Sequence, residues 1–97
     1  METNRIKVMD VVDGTATNSG GHSLYLTVKS ILISGAKAQL DMRDLTPMST
    51  SFLNSSFGNL VDEFGVEKIK SHVSLSNVKK SDAHRISTYM KKLSEYA

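Results

Sequence analysis

The chain has 97 residues, no cysteine and a formal net charge of +2 at pH 7. This length predicts one domain spanning residues 1–97, because hydrophobic cores of this size seldom divide further. The lack of cysteine excludes a disulfide framework, thiol catalysis and cysteine-ligated zinc, and it is typical of the reducing cytosol.

The charge is unevenly distributed along the chain. Residues 1–65 carry five Lys or Arg and seven Asp or Glu, whereas residues 66–97 carry seven Lys or Arg and three acids. Such a bias indicates either an acidic partner or a solvated C-terminal helix. No segment approaches the ~18–20 apolar residues of a membrane span, and no apolar region follows Met1–Arg5 as in a signal peptide. We therefore expect a cytoplasmic protein.

The first third of the chain predicts a strand followed by a helix. Residues 6–12 are short and rich in β-branched side chains, which is typical of a strand, and Asp13-Gly14 ends it. After a polar loop, the apolar residues take helical spacing from His22 onward. The apolar face of this helix is formed by Leu24, Val28, Ile31 and Leu32. Ser34-Gly35 is a plausible C-terminal stop.

A second strand and a second helix follow. Residues 38–43 alternate between apolar and polar side chains, as a strand with one solvated face does. Pro47 interrupts the pattern, and Ser49 or Thr50 suits the N-cap of the next helix. Its apolar stripe is formed by Leu53, Phe57, Leu60, Val61 and Phe64. Gly65 suits the position after its last turn.

The last part of the chain predicts a third strand and a third helix. Residues 66–70 form a connection to a strand at 72–76, which again alternates. After a turn, Ser81-Asp82 is expected to cap a helix whose apolar face contains Ile86, Tyr89, Met90 and Leu93.

The predicted order, βαβαβα, favours an α/β fold with a largely parallel or mixed sheet. Central strands of a doubly wound sheet are buried on both faces and are apolar throughout. The second and third predicted strands instead place polar residues on one face, namely Gln39, Asp41, Arg43, His72, Ser74 and Ser76. We therefore predict two layers, with all helices packed on one face of the sheet.

Few residues of this chain suggest catalysis or ligand binding. His22, His72 and His84 lack the spacing of metal ligands on one helix. The glycines before the first helix match no phosphate-binding motif. Asp41 and Asp44 flank the end of the second strand, where an acid–base pair or a magnesium site would lie, but structural roles are favoured. We predict no cofactor, no metal and no catalytic residue.

Residues 47–58 contain five hydroxyl side chains within one loop and the start of the second helix. Hydroxyl groups there cap free backbone amides, which is one interpretation. They also offer a phosphoacceptor whose phosphate would be stabilised by the helix dipole. The residue types leave both interpretations open.

The segments 38–45 and 50–60 resemble the STAS-like domain family of unknown function. The most specific match is Ser51-Phe52-Leu53-Asn54, which leads a helix ending in Phe-Gly, and residues 18–21 and 73–77 also fit. The family is similar to STAS domains, including the bacterial anti-sigma factor antagonists. The resemblance covers nearly the whole chain and implies a sheet with helices on one face.

The resemblance also implies a binding partner and a switch. Anti-sigma factor antagonists bind a kinase of the histidine-kinase-like ATPase fold, and phosphorylation at the start of the second helix controls this binding. Their motif, Asp-Ser-Ser/Thr-Gly, falls on Ser49-Thr50-Ser51-Phe52. Thr50 and Ser51 are therefore the candidate phosphoacceptors. Ser49 and Phe52 depart from the motif, since they replace its Asp and its Gly.

We expect a non-catalytic regulatory module that binds a protein, by resemblance a histidine-kinase-like ATPase. The expected binding surface is formed by the loop before the second helix and the exposed side of that helix. Its residues are Pro47, Met48, Ser49, Asn54, Ser55, Asn59 and Asp62. A polar sheet face or strand edge would also allow a homodimer.

Two other classes of function stay open. One is a small nucleic-acid-associated protein, which would use the basic cluster Lys79, Lys80, Arg85, Lys91 and Lys92. It is disfavoured by the low net charge and the lack of a stacking platform. The other is an enzyme acting on a phosphate ester or nucleotide, with Asp41, Asp44 and the loop hydroxyls in its pocket.

Overall fold

A computed structural model describes residues 2–96, except for the side chain of Tyr96. The elements are β1 (Thr3–Lys7), α1 (Val8–Val11), α2 (Asn18–Ile33), β2 (Lys37–Asp41), α3 (Thr50–Leu53), a π-helix (Asn54–Gly58), α4 (Asn59–Phe64), α5 (Val66–His72), β3 (Val73–Ser76) and α6 (Lys80–Tyr96). Within these residues, no helix combines the length and the apolar character needed to cross a membrane.

The three strands form one parallel sheet in the order β1-β2-β3. Ile6 of β1 lies opposite Leu40 of β2, and Leu40 lies opposite Leu75 of β3. Parallel neighbours in this register point to the same face, so these three apolar side chains meet. The predicted α/β fold with strands joined by helical connections is confirmed.

The two faces of the sheet differ in chemistry. The apolar strand residues, among them Ala38 and Leu40, belong to one core cluster with Leu24, Phe52 and Ile86 of the helices. The opposite face is formed by polar side chains, namely Thr3, Arg5, Lys7, Gln39, Asp41, Ser74 and Ser76. This segregation agrees with the predicted layer of helices on one face.

The helix α2 begins earlier than the apolar spacing suggested. The Thr17 hydroxyl caps it by accepting a hydrogen bond from the Gly20 amide at 3.1 Å, so the helix starts at Asn18 rather than near His22. Its end agrees with the prediction, because Gly35 follows the last turn with a φ of +88°, which glycine tolerates best.

The predicted first strand is too long. It ends at Lys7, and Val8–Val11 form the short helix α1. The ladder with β2 stops where Lys7 lies opposite Asp41, so the next residues have no strand to pair with. The helical turn instead buries Val8 completely in the core. β2 likewise covers residues 37–41, so Arg43 lies beyond the strand and not on its solvated face.

The predicted connection at 66–70 is also wrong, because Val66–His72 form the helix α5. Ile69 is 2% exposed and anchors this helix in the core. His72 is therefore the last residue of α5 and does not lie on the polar face of the sheet. The final helix begins at Lys80, one residue before the predicted cap.

The predicted second helix is continuous from Thr50 to Phe64 and consists of α3, the π-helix and α4. We call this whole segment the second helix, and its middle turn is the π-helix. Within this turn, the Ser56 hydroxyl donates to the Phe52 carbonyl at 2.7 Å and the Ser55 hydroxyl to the Ser51 carbonyl at 2.9 Å. Such bonds compete with backbone amides for the same carbonyls and bend helices. The predicted apolar stripe is confirmed, with Leu53, Phe57 and Leu60 all buried.

Candidate functional site

The loop before the second helix is fixed by a buried threonine. Thr15 is 2% exposed, and its hydroxyl oxygen lies 2.9 Å from the carbonyl oxygens of both Thr46 and Pro47. Its own carbonyl accepts a hydrogen bond from the Ser49 amide at 2.9 Å. Thr15 is not apparent from the sequence, because a single threonine in a polar loop carries no signal of burial.

Ser49 is the N-cap of the second helix. Its backbone is extended, with φ −81° and ψ 164°, and its hydroxyl accepts a hydrogen bond from the Phe52 amide at 3.0 Å. The capping interpretation therefore holds for this residue. Because Ser49 takes the cap, the next two hydroxyl residues, Thr50 and Ser51, occupy the first helical turn, and both are exposed.

Thr50 lines an open cavity of about 400 Å³ between the second helix and α6. The other lining residues are Leu53, His84, Arg85, Thr88, Tyr89 and Lys92. Two of the α6 residues, Arg85 and Lys92, carry positive charges. The candidate phosphoacceptor Thr50 thus faces a basic, hydroxyl-rich cavity, which we call the Thr50 cavity.

Two side chains of α6 tie this helix to the site. The Arg85 guanidinium donates a hydrogen bond to the Met48 carbonyl, directly before the N-cap. The Tyr89 hydroxyl donates to the side-chain oxygen of Asn54 at 2.6 Å. Burial raises the pKa of Tyr89 above its usual range, so the phenol stays protonated and keeps this donor.

The structure places the predicted surface residues in three environments. Pro47, Asn54, Asn59 and Asp62 are exposed, as predicted. Ser49 and Ser55 are half-buried, and both hydroxyls make local hydrogen bonds.

The prediction for Met48 is wrong, because this side chain is 2% exposed and belongs to the core cluster. Leu45 of the same loop is also buried. The loop points these two apolar side chains inward, since Thr15 and Arg85 hold its backbone against the protein. Of this loop, the exposed residues Thr46 and Pro47 are accessible from outside.

The two aspartates at the end of β2 have separate structural partners. Asp41 is 7% exposed and accepts hydrogen bonds from the Asn77 amide group at 2.9 Å and the Arg43 backbone amide at 3.0 Å. Its other oxygen lies 3.6 Å from the Arg5 guanidinium. Asp44 is exposed and pairs with Lys7 at 3.4 Å. The structural interpretation of both residues is therefore favoured by their contacts.

We expect Asp41→Asn to remove a pH-dependent part of the stability. The hydrogen bond from Asn77, and then the one from the Arg43 amide, lower the pKa of Asp41 below its usual range. A lowered folded-state pKa stabilises the fold above the unfolded-state value of about 4, and this contribution is lost as the pH falls below it. Urea unfolding at several pH values between about 6 and 2 measures the effect.

In that experiment the wild-type stability should fall more steeply with acid than that of Asp41→Asn. Asp44→Asn is the matched control, because its carboxylate is exposed and exposed ion pairs contribute little. Equal acid sensitivity of the wild type and Asp41→Asn would show that the Asp41 contacts do not stabilise the fold.

Comparison with known proteins identifies the family. Residues 20–83 match the STAS-like domain of unknown function, and this range runs from the start of α2 through β2, the second helix and β3. No curated protein and no solved structure matches the chain significantly. The matched range contains the capped loop and the exposed hydroxyls, and it covers more than half of the chain. The chain therefore belongs to the family of STAS-like domains of unknown function.

Proposed function

We propose that this domain is a non-catalytic regulatory module that binds another protein around the start of its second helix. The observation that carries the proposal is the position of Thr50 and Ser51. Both are exposed in the first turn of a capped helix, and Thr50 faces a basic cavity. The exposed residues Pro47, Asn54, Asn59 and Asp62 would complete the docking surface.

Rigidity of the loop supports a docking role. The loop is held from one side by Thr15 and from the other by Arg85, and Met48 anchors it in the core. A surface that is already ordered loses little conformational entropy on binding, which strengthens association. Asp41 and Asp44 are engaged in structural contacts, which is consistent with a site that binds without catalysing a reaction.

The proposed switch is phosphorylation of Thr50. A phosphate adds a charge of about −1.5 to −2 and three acceptor oxygens. In the Thr50 cavity it would lie beside Arg85 and Lys92, which form charge-assisted hydrogen bonds with such groups. Ser51 is exposed but does not line this cavity, so Thr50 is the favoured acceptor.

The proposed partner is a cytoplasmic ATPase of the histidine-kinase-like fold, by analogy with the anti-sigma factor antagonists. A phosphate at Thr50 would neutralise the positive charge of the cavity and bridge the second helix to α6. Both effects change the surface that such a partner contacts.

The basic residues of α6 bear on the nucleic-acid alternative. Arg85 and Lys92 line the Thr50 cavity, whereas Lys91 lines a different cavity on the other flank of the helix. These positive charges therefore lie on two separate surfaces. Binding to nucleic acid favours one continuous basic surface that follows the phosphate backbone, so this distribution supports protein docking.

We expect Thr50→Asp to weaken binding of the partner at least about tenfold, a change of about 1.4 kcal/mol in binding free energy. The reason is the introduced negative charge at the centre of the docking surface. The wild type and the Asp variant are used as baits in the native host lysate, and affinity for the captured ATPase is then measured. Intact-mass analysis of the native protein detects a phosphate.

Thr50→Val is the matched control, because it keeps the shape of the side chain without a charge. It should bind the partner as the wild type does, and Ser51→Asp should have a smaller effect than Thr50→Asp. Equal binding by Thr50→Asp and Thr50→Val would refute the switch. Capture of nucleic acid, with affinity that falls steeply with salt, would support the alternative function.

A further inference from the structure

One edge of β3 faces away from β2. Within residues 2–96, β3 pairs only with β2. The Ser76 carbonyl accepts the Met42 amide at 2.8 Å, so the backbone groups of Ser76 face β2. Successive residues of a strand direct these groups to opposite sides, so those of Leu75 point outward. An edge of this kind is a template for a further strand.

An apolar groove lies beside this edge. An open cavity of about 510 Å³ separates Leu75 from α6, and its apolar lining includes Ala83, Ile86 and Met90. A second cavity of about 200 Å³ shares Leu75, Ile86 and Met90 and extends to Val73. We call the two together the β3 groove. The sheet thus ends before it has covered the apolar face of α6.

The rim of the β3 groove is basic. Lys70 from the end of α5 and Lys91 from α6 line it, together with Ser87 and Ser94. In the part of the chain that the structure describes, no acidic side chain lines either cavity. An occupant is therefore expected to be apolar where it faces the floor and negatively charged where it meets the rim.

We propose that the β3 groove binds an extended, acidic segment of a partner protein, which adds to the sheet as a fourth strand. Main-chain hydrogen bonds to the outward groups of Leu75 hold the segment, and alternate apolar side chains fill the space against Ile86 and Met90. Acidic side chains at its ends pair with Lys70 and Lys91. This surface lies on the flank of α6 opposite the Thr50 cavity, so it is independent of the function proposed above.

The probe is a blocked heptapeptide with the sequence Glu-Val-Thr-Val-Thr-Val-Glu, titrated into the full ¹⁵N-labelled chain and followed by NMR. We expect saturable shifts of the amides of β3 and of α6 residues that line the groove. A peptide with Lys in place of both Glu should bind at least about tenfold more weakly, because each exposed pair becomes a repulsion. Two further peptides carry an N-methyl group either on the central Val or on the Thr before it. One of the two should fail to bind, because successive residues of a strand direct their amides to opposite sides and one of these two amides donates to β3.

Protein variants locate the site. Lys91→Gln should weaken the heptapeptide about threefold, whereas the adjacent Lys92→Gln, on the other flank, should leave it unchanged. Ser87→Glu places a negative charge at the rim of the groove from an exposed position and should reduce binding at least about tenfold. Thr50→Asp should bind the heptapeptide like the wild type, whatever its effect on the partner ATPase.

Three results would overturn the proposal. The first is no saturable shift in β3. The second is undiminished binding of both N-methylated peptides, which would exclude strand addition. The third is a set of β3 shifts that depend on protein concentration without peptide, which would assign the edge to a second copy of this chain.

Discussion

Replacing Gly21 with alanine is expected to destabilise the domain by at least about 3 kcal/mol, at the upper end of overpacking effects. A Cβ atom at this position would lie 1.9 Å from the Ser55 hydroxyl oxygen and 2.5 Å from the Phe52 carbonyl oxygen. The side chain of Ser55 can rotate away, but the Phe52 carbonyl is backbone. The two helices must therefore move apart, which disturbs the core between them.

Urea denaturation followed by circular dichroism measures this effect, and Gly14→Ala is the control. A Cβ atom at Gly14 would meet no heavy atom within 4 Å, so this variant should be as stable as the wild type or gain up to about 1 kcal/mol. Wild-type stability of Gly21→Ala would show that α2 does not approach the second helix as closely as described.

Replacing Phe52 with glycine is expected to cost about 4 kcal/mol or more. The Phe52 ring is 1% exposed and belongs to the core cluster. Truncation of a buried Phe costs about 3–5 kcal/mol, and glycine in a helix adds about 1 kcal/mol relative to alanine. Phe52→Gly would place the glycine of the antagonist motif at this position, so the variant also tests how this chain differs from that motif.

Thermal unfolding measures the loss, with Phe52→Leu as the control. Leucine retains most of the apolar volume and favours the helix, so its cost should be clearly smaller. Similar stabilities of Phe52→Gly and Phe52→Leu would contradict the core role of the ring. Given a typical stability of about 5–15 kcal/mol for a domain, Phe52→Gly leaves little stability in reserve.

The parts of the fold predicted from the sequence are those in which local pattern and tertiary packing agree. Residues 38–43 alternate in polarity, and β2 has one apolar and one polar face as a result. Leu24, Val28 and Leu32 follow helical spacing, and all three are buried in α2. Such spacing is visible in sequence because each side chain's direction is fixed by the backbone period.

The errors arose where distant contacts decide the local structure. Residues 8–11 have strand-forming side chains, but no neighbouring strand reaches them, so the core instead receives Val8 from a helical turn. In the helix α5 a single residue, Ile69, is buried. One buried apolar residue does not produce the repeated spacing by which a helix is predicted from sequence. The side chain of Met48 is buried in a loop whose backbone is held by Arg85, which is distant in sequence and donates to the Met48 carbonyl.

The candidate site was predicted only in part for the same reason. The exposed hydroxyls Thr50 and Ser51 follow from a local capping pattern, which a sequence displays. The Thr50 cavity depends on how α6 packs beside the second helix, which brings Arg85 and Lys92 close to Thr50. No local pattern encodes this approach, and the buried anchor Thr15 was missed for the same cause.

The all-parallel sheet has a consequence for how fast this protein folds. Thr3 pairs with Lys37, and Ala38 pairs with Val73, so each strand pair forms only after a complete helical connection has closed. A hairpin could form early from neighbouring residues, but this sheet has none to act as a nucleus. Closing each connection costs chain entropy before any ladder bond is gained, and such topologies fold more slowly than helical bundles of equal size. The order of events is then set by the helices, because they form within microseconds and bring the strands together.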